Sequence, residues 1–289
     1  MEFAGFPTGR INNGILRIDY LKQGGLRLVR LILGDGGANL FAELPDLGWQ
    51  TPNGYYRLLG GHRLWVAPEI KELTYLPEPV EIIEESILGG VRLTQAIDER
   101  SGLQKVMEVS LEPGKAAFTI RHILFNQGKK EITAAAWAIS QFRLGGVVAL
   151  PQPTTWADEA GLLPNRSLVL WPYTRLNDPR LRWMEDYLMI RTEPVEKPCK
   201  VGFSHPQGWI AYLLDGYLIR KQVAIQAGVQ YPDMNSALEI YVNHRFIELE
   251  SLSPLVQLKP GEHISHEENW SLEEAKNLDD EKGLADYLR

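Results

Sequence analysis

The feature that most constrains this chain is the recurrence of short segments in which apolar and polar residues alternate, each ended by a turn signal. GILRIDYL and LRLVRLIL flank KQGG, whose Gly24 and Gly25 suit the positive φ angles of a hairpin turn. VRLTQAID and LQKVMEVSL flank ERSG; EPGK then leads into AFTIRHILFNQG, and NQGKK precedes EITAAAWAISQF. A period of two sends successive side chains to opposite faces, so each segment has one face to bury. Many such strands in succession are accommodated by antiparallel sandwiches and barrels, and the expected class is all-β.

The stretch LGGVVALPQPTTWADEAGLLPNRSLVLWPYTRLNDPRLRW is rich in proline and aromatic residues and reads as long loops with a few short strands. Loops of this kind on a rigid sheet commonly build binding sites. Strand patterns resume with DYLMIRTE, KVGFSH, GWIAYLLDG, YLIRKQVAI, ALEIYVNHRFIELESL, SPLVQLKPGE and HISHEENW. Residues 271–289 carry a capping-box pattern at Ser271 and Glu274 and are expected to form a short acidic helical tail. Neither a linker composition nor a solenoid-length repeat interrupts the sequence, so residues 1–289 are expected to form a single domain.

A formal net charge of -7 without any run of Lys and Arg argues against a nucleic-acid partner, because phosphate neutralisation needs clustered cations. A lone cysteine, Cys199, excludes an internal disulfide framework and a multi-thiolate metal site, and is read as an inert packing residue in a reducing compartment. No stretch of about 18 apolar residues is available to span a bilayer. The start, MEFAGFPTGRINNG, lacks the basic and apolar regions of a secretory signal. The expectation is a cytoplasmic protein, monomer or homodimer, with no membrane partner. GDGG at 34–37 lacks the Lys-Ser/Thr and the helix of a phosphate-binding loop.

Candidate site residues fall in three places. In FIELESL, Glu248 and Glu250 share one strand face with Phe246 and Leu252, so the two carboxylates either face solvent or line a cleft. GGHRLWVAPE gathers His62, Arg63, Trp65 and Glu69, a combination that suits sugars: an aromatic face covers the C–H face of a pyranose while charged groups take its hydroxyls. YPDMNSALEIYVN offers Asn235 and Glu239, which would extend a polar row beside Glu248 and Glu250. Trp137, Trp171 and Tyr187 are candidate sugar platforms. His122 alternates with Phe118, Ile120 and Leu124 and reads as a core histidine. His263 and His266, three apart in a strand, point to opposite faces and cannot both chelate one metal, so no metal is expected.

The runs FTIRHILFNQGKKEITAAAWAISQF, DYLMIR and FIELESLSPLVQLKPGEHISHEENWSL, with the earlier NNGILRIDYL, GGANLFAE and GGHRLWVAPE, resemble the successive landmarks of the galactose mutarotase-like (aldose 1-epimerase) superfamily. The resemblance covers most of the chain. It implies a supersandwich of large antiparallel sheets whose concave face binds a small carbohydrate, and acid/base ring opening that interconverts anomers without a cofactor. It implies Glu250 as the base, with Glu248 as second choice, and Asp186 and Arg63 as residues that orient sugar hydroxyls. Where the family has its principal acid histidine, this chain has Ser140 and Gln141; His62 is the candidate substitute. Three readings stay open: an aldose 1-epimerase-like enzyme, a sugar-binding protein without chemistry, and an oligosaccharide-acting enzyme using His62 or Tyr187.

Overall fold

The structure, a computed structural model, describes residues 1–78, 81–278 and 280–289. Two large antiparallel sheets, of 12 and 10 strands, account for the architecture, and the all-β expectation holds. The hairpins fall where their turn residues place them. Leu16–Leu21 pairs with Arg27–Leu33 across Gly24 and Gly25, both at positive φ, and Gly90–Gln95 pairs with Leu103–Leu111 across Gly102 at φ 71°.

One core fills the space between the sheets. Leu16, Ile18, Leu28 and Leu249 of the first meet Val109, Phe118, Ile120, Ile210 and Trp270 of the second. The alternation of each strand thus buries its apolar set inward. The first sheet carries a second apolar cluster, of Tyr56, Leu58, Trp65, Trp137, Phe246 and Leu252, on its other face. These residues include the register partners Trp65, Trp137 and Leu252, and this outer face carries the cleft.

The tail departs from expectation. Ser271 and Glu274 lie in the strand His263–Glu274, whose alternate residues are buried, not at a helix start. That strand pairs on one edge with Ala117–Asn126 and on the other with Tyr217–Gln222, and inward-facing Trp270 and Leu272 continue its alternation. Two ladders of backbone hydrogen bonds outweigh one local capping box. The helix is Glu281–Leu288, capped by Asp280, whose carboxylate accepts from the Gly283 N–H at 2.7 Å. Its Leu284 and Ala285 cover Tyr187, Trp209 and Leu213 on the outer face of the second sheet. Among the described residues no helix is long and apolar enough to cross a membrane.

Candidate functional site

Five neighbouring strands of the first sheet build the site: Gly54–Ala67, Ile132–Phe142, Ile247–Leu252, Leu238–Val242 and Cys199–Phe203. Their register sets side chains in rows across one face. Gly61, Gln141, Glu248, Tyr241 and Lys200 stand side by side, and Arg63, Ile139, Glu250, Glu239 and Gly202 form the next row. Trp65, Trp137 and Leu252 make the third. Residues far apart in sequence thus meet through strand pairing alone, their separations reaching 185 for Arg63 and Glu248.

The first of these strands is aimed by a double glycine. Gly60 and Gly61 have φ of 88° and 72°, and a Cβ would lie 1.9 Å from the Ala42 carbonyl oxygen and 2.0 Å from that of Leu28. Only glycine allows neighbouring backbone so close. Here pairing passes from Glu43–Thr51 to Arg27–Leu33 and Ile132–Phe142, and His62 and Arg63 emerge on opposite faces.

On the outer face lies a cavity of about 470 Å³. Its walls include Trp49, Trp65, Tyr75, Trp137, Trp171, Tyr173, Tyr241 and Phe246, and its charged lining is Arg63, Glu69, Lys200 and Glu248. The Arg63 guanidinium lies 4.3 Å from the Trp65 ring centroid; the Lys200 ammonium is 4.8 Å from Trp137 and 4.5 Å from Trp171. Arg63 Nη2 donates to Glu248 Oε1 at 3.0 Å and Gln141 Nε2 to the same oxygen at 2.9 Å. Burial, reinforced by the nearby Glu250 and opposed by Arg63 and Lys200, lifts the Glu248 carboxyl to about 7.

Glu250 lies beneath this wall, fully buried. Its Oε2 accepts from Trp137 Nε1 at 2.7 Å and from Lys200 Nζ at 3.0 Å, and its Oε1 has no partner. Lys200 also stands 2.6 Å from Glu239 Oε2. Burial drives the Glu239 carboxyl well above its ordinary range, with Lys200 opposing. Burial would lower Lys200, but Glu250 and Glu239 outweigh it and hold the ammonium charged. Arg63 Nε and Nη1 and Gln141 Oε1 are likewise buried without partners. These atoms are closed to solvent, a setting in which polar groups are seldom left without a partner.

The structure therefore brings together Arg63, Trp65, Glu69 and Glu248 on the cavity wall with Gln141, Glu239 and Glu250 around it. It takes four other candidates elsewhere. His62 points between the sheets, because it follows Gly61 on the inward side of the strand: its Nδ1 is 2.8 Å from Ser140 Oγ and its Nε2 2.8 Å from His122 Nε2. Asp186 pairs with Arg289, Nη2 to Oδ1 at 3.2 Å, and with the largely buried Tyr187 lines a groove of the second sheet. Asn235 ends an exposed turn in which Asp233, Met234 and Asn235 all have positive φ, and the strand begins only at Leu238. Trp137 and Trp171 line the cavity.

His62 and His122 belong to a second polar network, wholly interior. His122 Nδ1 meets the His266 carbonyl oxygen at 3.2 Å, Ser251 Oγ lies 2.7 Å from His266 Nε2, and Lys221 Nζ is 2.7 Å from Glu268 Oε1. Burial keeps all three histidines neutral, His122 and His266 lowered to about 3 and His62 well below its ordinary value. His62, His122 and Glu268 offer atoms within 4.8 Å of one another, a spacing open to a metal ion. The donor set does not suit one: the two Nε2 atoms bond each other, and Glu268 already answers Lys221, Ser251 and, at 3.0 Å, Trp270 Nε1. His263 faces outward against Phe125, away from His266.

Sequence reading missed Lys200, Tyr173 and Tyr241. A lone lysine in KVGFSH has no local signal; only its pairing with Tyr241 brings it to the site.

No protein-family model and no curated protein matches the chain. Solved structures do. A TPR-domain containing protein from Parabacteroides distasonis superposes with a TM-score of 0.65 at 11% identity over 92% of this chain and 47% of its own, so the chain spans about half of that protein. A galactose mutarotase-like protein from Lactobacillus casei gives 0.60 at 12% identity, covering 92% of this chain and 100% of the other. A galactose mutarotase related enzyme from Lactobacillus acidophilus gives 0.56 at 8% identity over 94% and 99%. At such identities the likeness speaks for architecture, and with the two sheets and their order it leads to one conclusion: the chain has the galactose mutarotase-like fold.

Proposed function

We propose that the protein binds a carbohydrate in the aromatic cleft and that Glu248 exchanges the proton of its anomeric hydroxyl, an aldose 1-epimerase-like interconversion of anomers. The observation that carries this reading is the carboxyl of Glu248, on the cavity wall and held near 7. A proton-transfer group works best when its pKa is close to the working pH. Arg63 and Gln141 both bond Oε1, and Oε2 takes no hydrogen bond among the described residues, so it is the oxygen offered to a ligand.

In this reading Glu248 takes the anomeric proton, the bond from C1 to the ring oxygen breaks, and the ring oxygen is protonated by a donor on the wall. The groups there with a proton to give are the Lys200 ammonium and the hydroxyls of Tyr75, Tyr173 and Tyr241, all held above their ordinary pKa, Lys200 by its carboxyl neighbours and the tyrosines by burial. Rotation about the C1–C2 bond followed by the reverse steps closes the other anomer. Trp137 and Trp171 supply ring faces for the sugar, and Glu250 holds Lys200 in place from below.

A second reading, binding without turnover, is favoured by a specific observation. Ser140 and Gln141 stand where the family resemblance places an acid histidine, and His62 is bonded inside the core. One experiment separates the two. The optical rotation of freshly dissolved α-galactose and α-glucose is followed with wild type and Glu248→Gln, and binding is titrated in parallel. Acceleration by wild type and its loss in the variant support the enzyme; binding without acceleration supports the binder; neither binding nor acceleration by any sugar removes both.

A further inference from the structure

The charges around the cavity do not balance. Four carboxyl groups, Glu69, Glu248, Glu250 and Glu239, surround two cations, Arg63 and Lys200, and burial holds Glu239 toward its neutral form. Lys200 lies 3.0 Å from the Glu250 carboxylate and 2.6 Å from the Glu239 carboxyl, so its charge is answered from below. Arg63 gives Nη2 to Glu248 at 3.0 Å. Glu69 at the rim has only the hydroxyl of Tyr75 as a partner among the described residues. With Lys200 answered by Glu250, the wall sets Glu248 and Glu69 against Arg63 alone, an excess of negative charge where a ligand would lie.

The remaining wall is aromatic, and ring faces attract cations. The protein's own cations already show it, since Arg63 and Lys200 each lie over indole rings of this cavity. One polar atom of the wall is open as well: Glu248 Oε2 takes no hydrogen bond among the described residues. A phosphorylated sugar or a uronic acid would add negative charge beside Glu248 and Glu69. A neutral sugar would answer that open oxygen but leave the charge unanswered.

We propose that the cleft selects a positively charged amino sugar, its ammonium group set between the Glu248 carboxylate and the surrounding rings. This rests on the carbohydrate reading above. The raised Glu248 carboxyl agrees with it: burial favours its neutral form, a cationic ligand favours the carboxylate, and a proton is shed as that ligand binds.

The test is equilibrium binding at neutral pH of glucosamine, galactosamine and mannosamine against their N-acetyl derivatives, the parent hexoses and glucose 6-phosphate. At least one hexosamine binds roughly tenfold or more tightly than its parent hexose and its N-acetyl form, the scale of one desolvated cation–ring contact. Glucose 6-phosphate binds more weakly than glucose. Glu248→Gln, nearly isosteric, brings the hexosamine-to-hexose ratio close to one. Glu69→Gln, at an exposed position, reduces the ratio without touching the buried floor, and covers the case in which the Glu248 variant fails to fold. Equal or tighter binding of neutral or phosphorylated sugars overturns the selectivity and leaves the carbohydrate reading standing. Failure of every sugar to bind removes that reading, and the selectivity with it.

Discussion

His62 and Arg63 are neighbours in the chain and serve opposite sides of the sheet: one bonds His122 at 2.8 Å between the sheets, the other bonds Glu248 at 3.0 Å in the cleft. The Gly60–Gly61 bend fixes which of them faces which way. Gly61→Ala would put a methyl group 2.0 Å from the Leu28 carbonyl oxygen at a φ of 72°. Chemical denaturation of this variant should show a loss of about 3 kcal/mol or more, in the upper range for single substitutions, and the loss of any sugar binding the wild type has.

Glu248→Gln should reduce anomer interconversion by about 10²- to 10⁴-fold, the usual worth of one acid/base group, while ligand affinity for neutral sugars changes little. A polarimetric assay with parallel titration reads both quantities. An unchanged rate would show that the wall carboxyl transfers no proton.

Lys200→Met removes the ammonium shared by Glu239 and Glu250 and strands buried negative charge. A loss of about 3–5 kcal/mol is expected at mildly alkaline pH. The loss should shrink as the pH falls, because the stranded carboxyls can then take up protons. A penalty independent of pH would mean that Lys200 contributes by packing alone.

His122→Ala leaves His62 Nε2 without its partner in the core. The orphaned polar atom and the vacated volume together should cost about 2–5 kcal/mol, seen in thermal unfolding. Sugar binding should survive at temperatures where the variant is folded, because this network lies on the opposite side of the sheet from the cavity.

Stability should peak at about pH 6.5, near the ordinary histidine pKa. Between roughly 3 and 6.5 the unfolded chain protonates histidines that the folded protein keeps neutral: His122 and His266, lowered to about 3, and His62, well below its ordinary value. The unfolded state then binds more protons, so stability rises with pH through that window. Glu248 runs the other way. Its carboxyl, at about 7 when folded and 4.5 in the unfolded chain, binds a proton in the folded protein that the unfolded chain has released, so stability falls as pH rises between those values. Glu239 shares that direction. Three histidines outweigh two carboxyls up to about 6.5, and above it only the carboxyls titrate. Melting temperature across this range reads the balance, and a melting temperature that climbs steadily past neutrality would contradict it.

How much of the fold and the cleft is legible in the sequence depends on range. Gly24, Gly25 and Gly102 announce hairpins because their φ requirement is local, and the face shared by Glu248 and Glu250 follows from strand alternation. Alternation also separates His62 from Arg63, but it cannot say which side is the core; that is set by the bend at Gly61 and by pairing with Ile132–Phe142. Ser271 and Glu274 form a sound capping pattern that loses to pairing on both strand edges. Lys200 and Tyr241 are invisible in the sequence because their role is a matter of register between strands distant along the chain.

That same distance has a consequence for how the protein comes into being. Gln141 meets Glu248 from 107 positions away and Arg63 from 185, so both donors must wait for a strand made long after their own. Contacts of such long range form late and slowly, since the loops they close carry a large entropic cost. A growing chain that has delivered Arg63 and Gln141 holds donors with nothing to receive them. The proposed capture of ligand would therefore be a property of the finished molecule, a gauge of completed folding that no isolated hairpin can mimic.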